Sequence, residues 1–256
     1  MIDLMDRIRA KARKDSRLIV LPETQDPRVI EAAIAIQREG IAKLILLGQA
    51  AELSEELQKR GGRARDFIIR DPQRDPQRQE LIESYYQLRK HKGTTAKEAQ
   101  EELADSVFFG AMLLQSSQAD GLVSGSLSPT AKVLRAALRC LGPAKGVKTV
   151  SSYSIITTKM SELGVDGSFL FADTGVIPEP TAQQLADIAI ATADNCRKVL
   201  EAEPRVAMIS FSTKGSAKHP AVATVVQATR LARQLAPDLI IDGDLQVDAA
   251  IVESVC

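Results

Sequence analysis

The sequence predicts an α/β protein of two α/β/α domains with largely parallel sheets. Two observations support this prediction. From residue 18 onwards, short continuous apolar runs of strand length alternate with longer amphipathic segments of helical period, a pattern typical of parallel sheets with helices on both faces. The chain is also 256 residues long, which is enough for one large or two modest domains.

The first domain is expected over residues 1–144. It opens with an amphipathic surface helix at 2–17, followed by an apolar strand that Pro22 closes. The next helix has Asp26 as its cap and Pro27 at its first position. The remaining predicted elements are strands at 43–47, 67–69 and 121–124 and helices at 53–58, 78–89, 96–115 and 130–140.

The second domain is expected over residues 145–256, because the composition of the predicted strands changes there. It begins with two strands rich in hydroxyls or aromatic residues, joined by a loop that contains glycine. The predicted strands are 149–158, 169–173, 205–212 and 239–242, and the predicted helices are 181–199 and 221–235. The last segment, 247–255, is expected to be a helix or a loop.

The composition excludes several classes of function. The chain has 33 basic and 33 acidic residues, no tryptophan and 4% aromatic residues, so it lacks the charge and the stacking surface of a nucleic-acid-binding protein. No apolar run approaches the ~20 residues that span a bilayer, and no targeting peptide is evident. We therefore expect a cytoplasmic protein that binds neither nucleic acid nor membrane. The spacing of Cys140, Cys196 and Cys256 fits neither a disulfide framework nor a metal cluster.

The stretch 210–218 is the strongest candidate for an anion site. It follows a predicted strand, precedes a helix, and combines hydroxyls, Gly215 and two lysines. Phosphate oxygens accept many short hydrogen bonds, which unpaired N–H groups at a helix start and lysine side chains can donate. The order differs from a P-loop, because Lys214 precedes Gly215. An ordinary turn with capping residues is the alternative.

A second hydroxyl-rich turn, 124–130, follows a strand of the first domain. Ligands of open α/β sheets bind beyond the carboxyl ends of strands, so this turn and Arg135 could bind an anion. Helix capping by Ser128 and a solvent-exposed Arg135 are the alternatives. Arg89 lies in a basic run at a helix end, where a solvated face that complements the helix dipole would explain it equally well.

Three carboxylates, Asp242, Asp244 and Asp248, follow an apolar strand. They could bind a divalent cation or orient lysines such as Lys214. His91 and His219 have no neighbours at ligand spacing, and no nucleophile elbow or G-x-G-x-x-G motif is present. We therefore expect no metal and no permanently bound cofactor.

Six blocks of sequence, in this order, resemble those of one enzyme family: Leu21-Pro22-Glu23-Thr24, Leu88-Arg89-Lys90-His91-Lys92-Gly93, Asp120-Gly121-Leu122-Val123-Ser124-Gly125, Phe169-Leu170-Phe171-Ala172-Asp173, Ser210-Phe211-Ser212-Thr213-Lys214-Gly215-Ser216-Ala217-Lys218 and Ile241-Asp242-Gly243-Asp244-Leu245-Gln246-Val247-Asp248-Ala249-Ala250. Over nearly the whole chain, the sequence is similar to the phosphate acetyltransferases (phosphotransacetylases).

The resemblance implies reversible transfer of acetyl between acetyl phosphate and coenzyme A, with CoA as a substrate and not a permanent cofactor. It also implies two domains with a cleft between them, as in isocitrate and isopropylmalate dehydrogenases, and a homodimer. By the same resemblance Arg89 and Arg135 are catalytic. The substrate-binding residues that it implies are Ser128, Thr130, Ser212, Thr213, Lys214 and Gly215.

The implied mechanism is direct attack of the CoA thiol in a ternary complex, helped by a carboxylate base. In the family, that base and an Asp-Leu-Ser-Arg-Gly block lie in a C-terminal segment, which this sequence lacks before it ends at Cys256. Glu253 also stands where relatives usually have proline. We therefore expect a fragment or a truncated form with impaired activity.

Three other functions remain open at this point. The first is a phosphate propionyl- or butyryltransferase, because acyl preference depends on packing. The second is a non-catalytic module that binds acetyl-CoA, like the phosphotransacetylase-like region of some malic enzymes. The third is a metal-dependent decarboxylating dehydrogenase.

Overall fold

The computed structural model describes residues 4–255. The chain forms two compact units that divide between Gly142 and Pro143. Cys256 and positions 2 and 3 of the expected N-terminal helix lie outside the described residues. No helix of the described part of the chain is long and apolar enough to cross a membrane.

The first unit alternates helices and strands as the sequence predicts. Its elements are α1 Leu4–Lys14, β1 Leu18–Leu21, α2 Pro27–Glu39, β2 Lys43–Leu47, α3 Ala50–Lys59, β3 Ile68–Arg70, α4 Arg78–Arg89, α5 Ala96–Glu102, α6 Ser106–Gln115, β4 Gly121–Leu122 and α7 Thr130–Cys140, with short 3₁₀ turns at Ala64–Asp66 and Lys90–Lys92.

These strands form one parallel sheet in the order β3-β2-β1-β4. Apolar side chains alternate between its faces: Val20 packs with the cluster of α4 to α7, whereas Leu21 packs with α2 and α3. The sheet is therefore covered on both sides. The chain goes from β1 to β2 and β3 on one side and returns to β4 on the other. The carboxyl ends of β1 and β4 thus flank the switch point where open α/β sheets bind ligands.

The predicted single helix at 96–115 is wrong, because the chain breaks it after Glu102. Asp105 accepts hydrogen bonds from the backbone N–H groups of Val107 (2.9 Å) and Phe108 (3.5 Å) and so caps a new helix, α6. The first piece, α5, is closed at its own start by the reciprocal Thr95 and Glu98 capping box. The apolar content of α6 hid this boundary, because a continuous hydrophobic pattern extends across it.

The second unit is built from four strands and three helices in the described residues. Its elements are β5 Tyr153–Thr157, β6 Ser168–Ala172, α8 Ala182–Val199, β7 Arg205–Ile209, α9 Pro220–Leu235, β8 Ile240–Leu245 and α10 Val247–Ile251, followed by a 3₁₀ turn at Glu253–Val255. The side chains of α8, α9, β7 and β8 share one apolar cluster.

Only one of the two strand pairs in the second unit is parallel. β7 pairs with β8 in parallel, but β5 and β6 form an antiparallel hairpin, which differs from the expected largely parallel sheet. The ten residues between Thr157 and Ser168 explain the difference, because a parallel connection needs a crossover of a dozen residues or more.

Candidate functional site

The turn after β4 in the first unit is organised by the carboxylate of Glu23, which follows β1. Glu23 is buried, with 4% of its surface exposed. It accepts hydrogen bonds from the backbone N–H groups of Gly125 (2.6 Å), Ser126 (2.9 Å), Leu127 (3.3 Å) and Ser128 (2.6 Å), and from the Ser126 hydroxyl (3.2 Å). Gly125 has φ of 121°, which favours glycine.

These hydrogen bonds fix the ionisation of Glu23. Burial raises its pKa, but the donors of Gly125, Ser126 and Ser128 outweigh burial and lower the pKa to about 2. Glu23 is therefore an anion that the turn itself neutralises. On the other side of the turn, Arg28 donates to the Ser126 carbonyl (3.2 Å) while it forms an ion pair with Asp26 (2.6 Å).

The start of α7 is left without a side-chain cap. The capping position is Pro129, and no side chain accepts a hydrogen bond there, so the alternative that Ser128 caps the helix is wrong. The hydroxyl of Thr130 has no hydrogen-bond partner among residues 4–255, and Arg135, further along α7, is exposed with no carboxylate partner among them. Thr130 and Arg135 therefore lie on the same helix with side-chain donors that no described residue uses, whereas Ser128 already binds Glu23.

Arg89 is the last residue of α4 and is partly buried. Its Nε is buried and has no hydrogen-bond partner among the described residues, and none of their carboxylates forms an ion pair with it. The neighbouring Arg139 has a different environment, because it pairs with Glu102 (2.9 Å) and donates to Thr94 (3.0 Å). A fully solvated basic face, the alternative for Arg89, does not fit this burial.

The loop after β7 in the second unit differs from the expectation in two ways. The strand ends at Ile209 and not at residue 212, and α9 begins with His219 as its cap, whose Nδ1 accepts from the Ala221 N–H (3.2 Å). The helix start is therefore closed. The expected set of free N–H groups between β7 and α9 is wrong in this part of the chain.

The polar groups of this loop bind one another. Asp244, 3% exposed, accepts from the Gly215 N–H (3.3 Å), and its carbonyl accepts from the Lys214 N–H (3.0 Å). The buried Ser212 hydroxyl accepts from the Ala217 N–H (3.2 Å), and the Thr213 hydroxyl accepts from the Gln246 N–H (3.1 Å). Lys214 and Gly215 both have positive φ, 50° and 82°, which tightens the loop.

The predicted pairing of Lys214 with the carboxylates after residue 241 is confirmed. Its Nζ lies 2.5 Å from the Asp242 carboxylate, which also binds Arg233 at 2.7 Å. The hydrogen bond from Lys214 lowers the pKa of Asp242. Because both side chains are about half exposed (53% and 49%), Lys214 is oriented without being buried.

Two further carboxylates of the second unit are held as anions. Burial raises the pKa of Asp173, but hydrogen bonds from Ser152 and from the N–H groups of Gly175 (3.0 Å) and Ile177 (2.8 Å) lower it well below its usual range. The Ser212 hydroxyl lowers the pKa of Asp244 most, despite burial. Glu23 was given no role from the sequence, although it lies two residues past the carboxyl end of β1, and that position is the signal that could have identified it.

Metal-binding groups and cysteines are the remaining candidates for chemistry in the described residues. Among residues 4–255, no group of three or more His, Cys, Asp or Glu residues has a geometry that could bind a metal ion. Cys140 is buried, and burial raises the pKa of its thiol to about 12, so it is a core residue. Cys196 is half-buried and free.

Comparison with known proteins gives one family. Residues 3–256 match the family model described as "Phosphate acetyl/butaryl transferase". The phosphate acetyltransferase of Thermoanaerobacterium thermosaccharolyticum is 42% identical over 254 residues, which cover 99% of this chain and 77% of that protein.

Two solved structures have folds similar to that of this chain. The phosphotransacetylase of Streptococcus pyogenes has a TM-score of 0.90 and 38% identity, with 98% of this chain and 74% of that chain covered. The EutD phosphotransacetylase of Staphylococcus aureus has a TM-score of 0.86 and 36% identity, with 99% and 76% covered. The predicted α/β fold class is confirmed by these similarities.

Proposed function

Because the chain belongs to the phosphate acetyl/butaryl transferase family, we propose that it transfers acetyl reversibly between acetyl phosphate and coenzyme A. The observation that carries this proposal is the pair of unpaired arginines in the first unit. Partly buried Arg89 and exposed Arg135 have no carboxylate partner among residues 4–255. A buried cation without a counterion is costly, so an anionic ligand is the partner that it lacks.

The substrate supplies that anion. Acetyl phosphate carries negative charge on its phosphate, and that phosphate becomes the leaving group when the thiol attacks the carbonyl. Arginine binds phosphate with a planar fork of donors and stabilises charge that develops in the transition state. We assign this role to Arg135 and Arg89. Thr130 orients the same phosphate with the donors at the start of α7, and Ser128, which is bound to Glu23, shapes the turn that leads to it.

The loop after β7 has a smaller role in this scheme. Ser212, Thr213 and Gly215 are engaged in hydrogen bonds within the second unit, so they shape the loop. Lys214 is held by Asp242 and keeps about half of its side chain exposed. We propose that Lys214 is the group of this loop that contacts a phosphate of the substrates.

The attack by coenzyme A requires removal of a thiol proton, because a thiol with a pKa near ~8.5 is mostly protonated at neutral pH. We propose that neither Asp173 nor Asp244 is the base. Each accepts several hydrogen bonds that hold its pKa below the usual range, which makes it a weak proton acceptor. Coenzyme A enters and leaves as a substrate, and the proposal requires no permanent cofactor.

The test is formation of acetyl-CoA from acetyl phosphate and CoA, followed by the thioester absorbance. Propionyl and butyryl phosphate are compared in the same assay to measure the acyl preference. Arg135→Ala is the variant expected to lose activity, and Arg38→Ala, a surface change on α2, is its control. Binding of CoA in calorimetry without turnover of any acyl phosphate would favour the binding-module alternative and contradict the proposal.

We also propose a cytoplasmic homodimer. The hairpin β5–β6 supports the dimer, because Ile156 (43%) and Phe171 (37%) are exposed on the same face of it. Contiguous exposed apolar surface on a protein commonly marks an association site. Sedimentation of the protein and of a Phe171→Glu variant tests this. A wild-type monomer at micromolar concentration would contradict it.

A further inference from the structure

The buried carboxylate of Glu23 has an arrangement that the proposed chemistry does not use. Its two oxygens receive five hydrogen bonds from the turn after β4, at 2.6 to 3.3 Å. Four of the donors are backbone N–H groups of four consecutive residues, Gly125 to Ser128. Consecutive N–H groups that converge in this way form a nest that binds anions. In this protein, the nest is occupied by the protein's own carboxylate.

The position of this nest makes the arrangement informative. It lies between the carboxyl ends of β1 and β4, at the switch point of the sheet, where open α/β folds bind a ligand's phosphate. Because Glu23 fills the nest, a substrate phosphate cannot use the N–H groups of the turn. The donors left for it follow the turn: the free Thr130 hydroxyl, the uncapped start of α7 and the Arg135 guanidinium.

We propose that Glu23 is a positioning residue for the phosphate of the acyl phosphate: its carboxylate fills the amide nest of Gly125–Ser128 and thereby sets where Thr130 and Arg135 present their donors. This inference rests on the proposed function. The lowered pKa of Glu23 agrees with it, because the anion is kept through the neutral range. Glu23 contacts no substrate and acts only through the turn.

Three substitutions separate this role from general stability. Glu23→Gln keeps the shape but offers one acceptor oxygen and an NH₂ that cannot accept, so donors of the turn lose their partner. Glu23→Asp keeps the charge but is shorter by about 1.5 Å. Glu23→Ala leaves a hole lined by N–H groups, which formate is small enough to fill. The control is Asp75→Asn, which also removes a buried carboxylate of the first unit, where Asp75 binds Arg70 (2.6 Å).

The first measurement is steady-state kinetics of the full protein. We expect Glu23→Gln to raise KM for acetyl phosphate about 10- to 100-fold, with KM for CoA changed little. Glu23→Asp should recover part of this loss, and formate should improve Glu23→Ala more than chloride at equal ionic strength. Asp75→Asn should leave both KM values near wild type. Equal changes in both KM values, or the same change in Asp75→Asn, would overturn the positioning role.

The second measurement needs no activity. Hydrogen exchange at the amides of Gly125 to Ser128 should accelerate in Glu23→Gln and Glu23→Ala, and formate should slow it again in Glu23→Ala. If the wild type shows no acetyl transfer, the proposed function fails while this measurement still reports on the nest. If these amides exchange at wild-type rates in both variants, the nest does not depend on Glu23 and the inference is wrong.

Discussion

The two strand-to-helix turns of this protein look alike in sequence but differ in what their polar groups bind. After β4, the turn gives its N–H groups to Glu23, and the following helix starts without a cap, close to the unpaired Arg135. After β7, the loop gives its N–H groups to Asp244 and to its own hydroxyls. Its helix is capped by His219, and Lys214, one of its two lysines, is paired with Asp242.

This difference shows that residue types alone do not identify an anion site. Both turns offer serines and glycine, with a basic residue in the turn or further along the next helix. The Thr130 hydroxyl and Arg135 have no protein partner in the described residues. In the second loop, by contrast, Lys214 is paired with Asp242, and Lys218 is the basic residue that stays unpaired among those residues. Unused donors can bind a ligand, whereas donors that are already satisfied contribute mainly to the shape of the loop. The comparison therefore predicts that first-unit substitutions affect substrate binding more than second-unit ones.

The largest expected effect is at Arg135. Arg135→Ala should lower kcat/KM for acetyl phosphate about 10²- to 10³-fold, since one donor to developing charge is lost. Arg135→Lys should be nearly as harmful, because a point charge does not replace the planar fork. Steady-state kinetics of the two variants, with Arg38→Ala as the control, measure this. Wild-type kcat/KM in Arg135→Lys would show that only charge is required.

Arg89 gives a sharper test, because function and stability should move in opposite directions. Arg89→Met removes a partly buried cation that lacks a partner and keeps most of its apolar stem. We expect about a 10-fold or greater loss in kcat/KM and an unchanged or higher stability, by up to ~1 kcal/mol. Urea unfolding and kinetics on the same preparation check both. A clear loss of stability would show that Arg89 has a structural partner after all.

The pH dependence of stability compares a carboxylate of the first unit, Glu23, with one of the second unit, Asp242. The pKa of Glu23 is about 2, against 4.5 for a free glutamate, so its stabilisation is complete above pH 4.5 and is lost as the pH falls toward 2. Glu23→Gln should therefore lower the free energy of unfolding by ~1–3 kcal/mol at neutral pH. This difference from wild type should shrink as the pH falls from 4.5 toward 2.

Asp242→Asn is the half-exposed counterpart in the second unit. Its pKa is also lowered, chiefly by Lys214, so its effect has the same sign but should be smaller. Urea unfolding at pH values from neutral to acid, with hydrogen exchange as the readout in each unit, measures how far each variant differs from wild type in free energy of unfolding. A difference in unfolding free energy between Glu23→Gln and wild type that stays constant down to pH 2 would contradict the assigned ionisation of Glu23.

The smallest expected effect on stability is at Lys214. Its pair with Asp242 is half exposed, and such pairs contribute ~0.2–1 kcal/mol, so Lys214→Ala should stay within that range. Its proposed contact with substrate is tested by lysine labelling, read by mass spectrometry. Phosphate or CoA should slow labelling of Lys214 but not of the surface residue Lys43. Equal labelling of Lys214 with and without both ligands would remove it from the site.

The sequence was sufficient to predict the order and type of most helices and strands. Periodicity and capping residues place α2 correctly, because Asp26 caps the helix and Pro27 stands at its first position, as the pattern requires. The split between α5 and α6 was missed, because it depends on one side chain, Asp105, whose capping role competes with a continuous apolar pattern. The antiparallel pairing of β5 and β6 follows from connection length and could have been anticipated.

The candidate site was only partly predictable. Residue types and strand ends indicated two candidate turns, which stay predictions, and charge complementarity predicted the Lys214 pair with Asp242. Sequence could not show which N–H groups are already bound, because their partners come from distant positions: Glu23 binds a turn that lies 102 to 105 residues away. The availability of a donor is a tertiary property, and no local pattern encodes it.

That separation along the chain also determines when the turn can form during folding. Closing a loop of this length before any local contact compensates the lost entropy is slow, so the nest cannot assemble until β4 has paired with β1. During synthesis, β1 to β3 leave the ribosome well before residues 125–128, so Glu23 lacks these hydrogen-bond donors until the turn is synthesised. We expect pulsed hydrogen exchange during refolding to show these amides becoming protected together with β4, after the helical amides of α2. We therefore expect the proposed phosphate-binding geometry to be among the last features of the first unit to form.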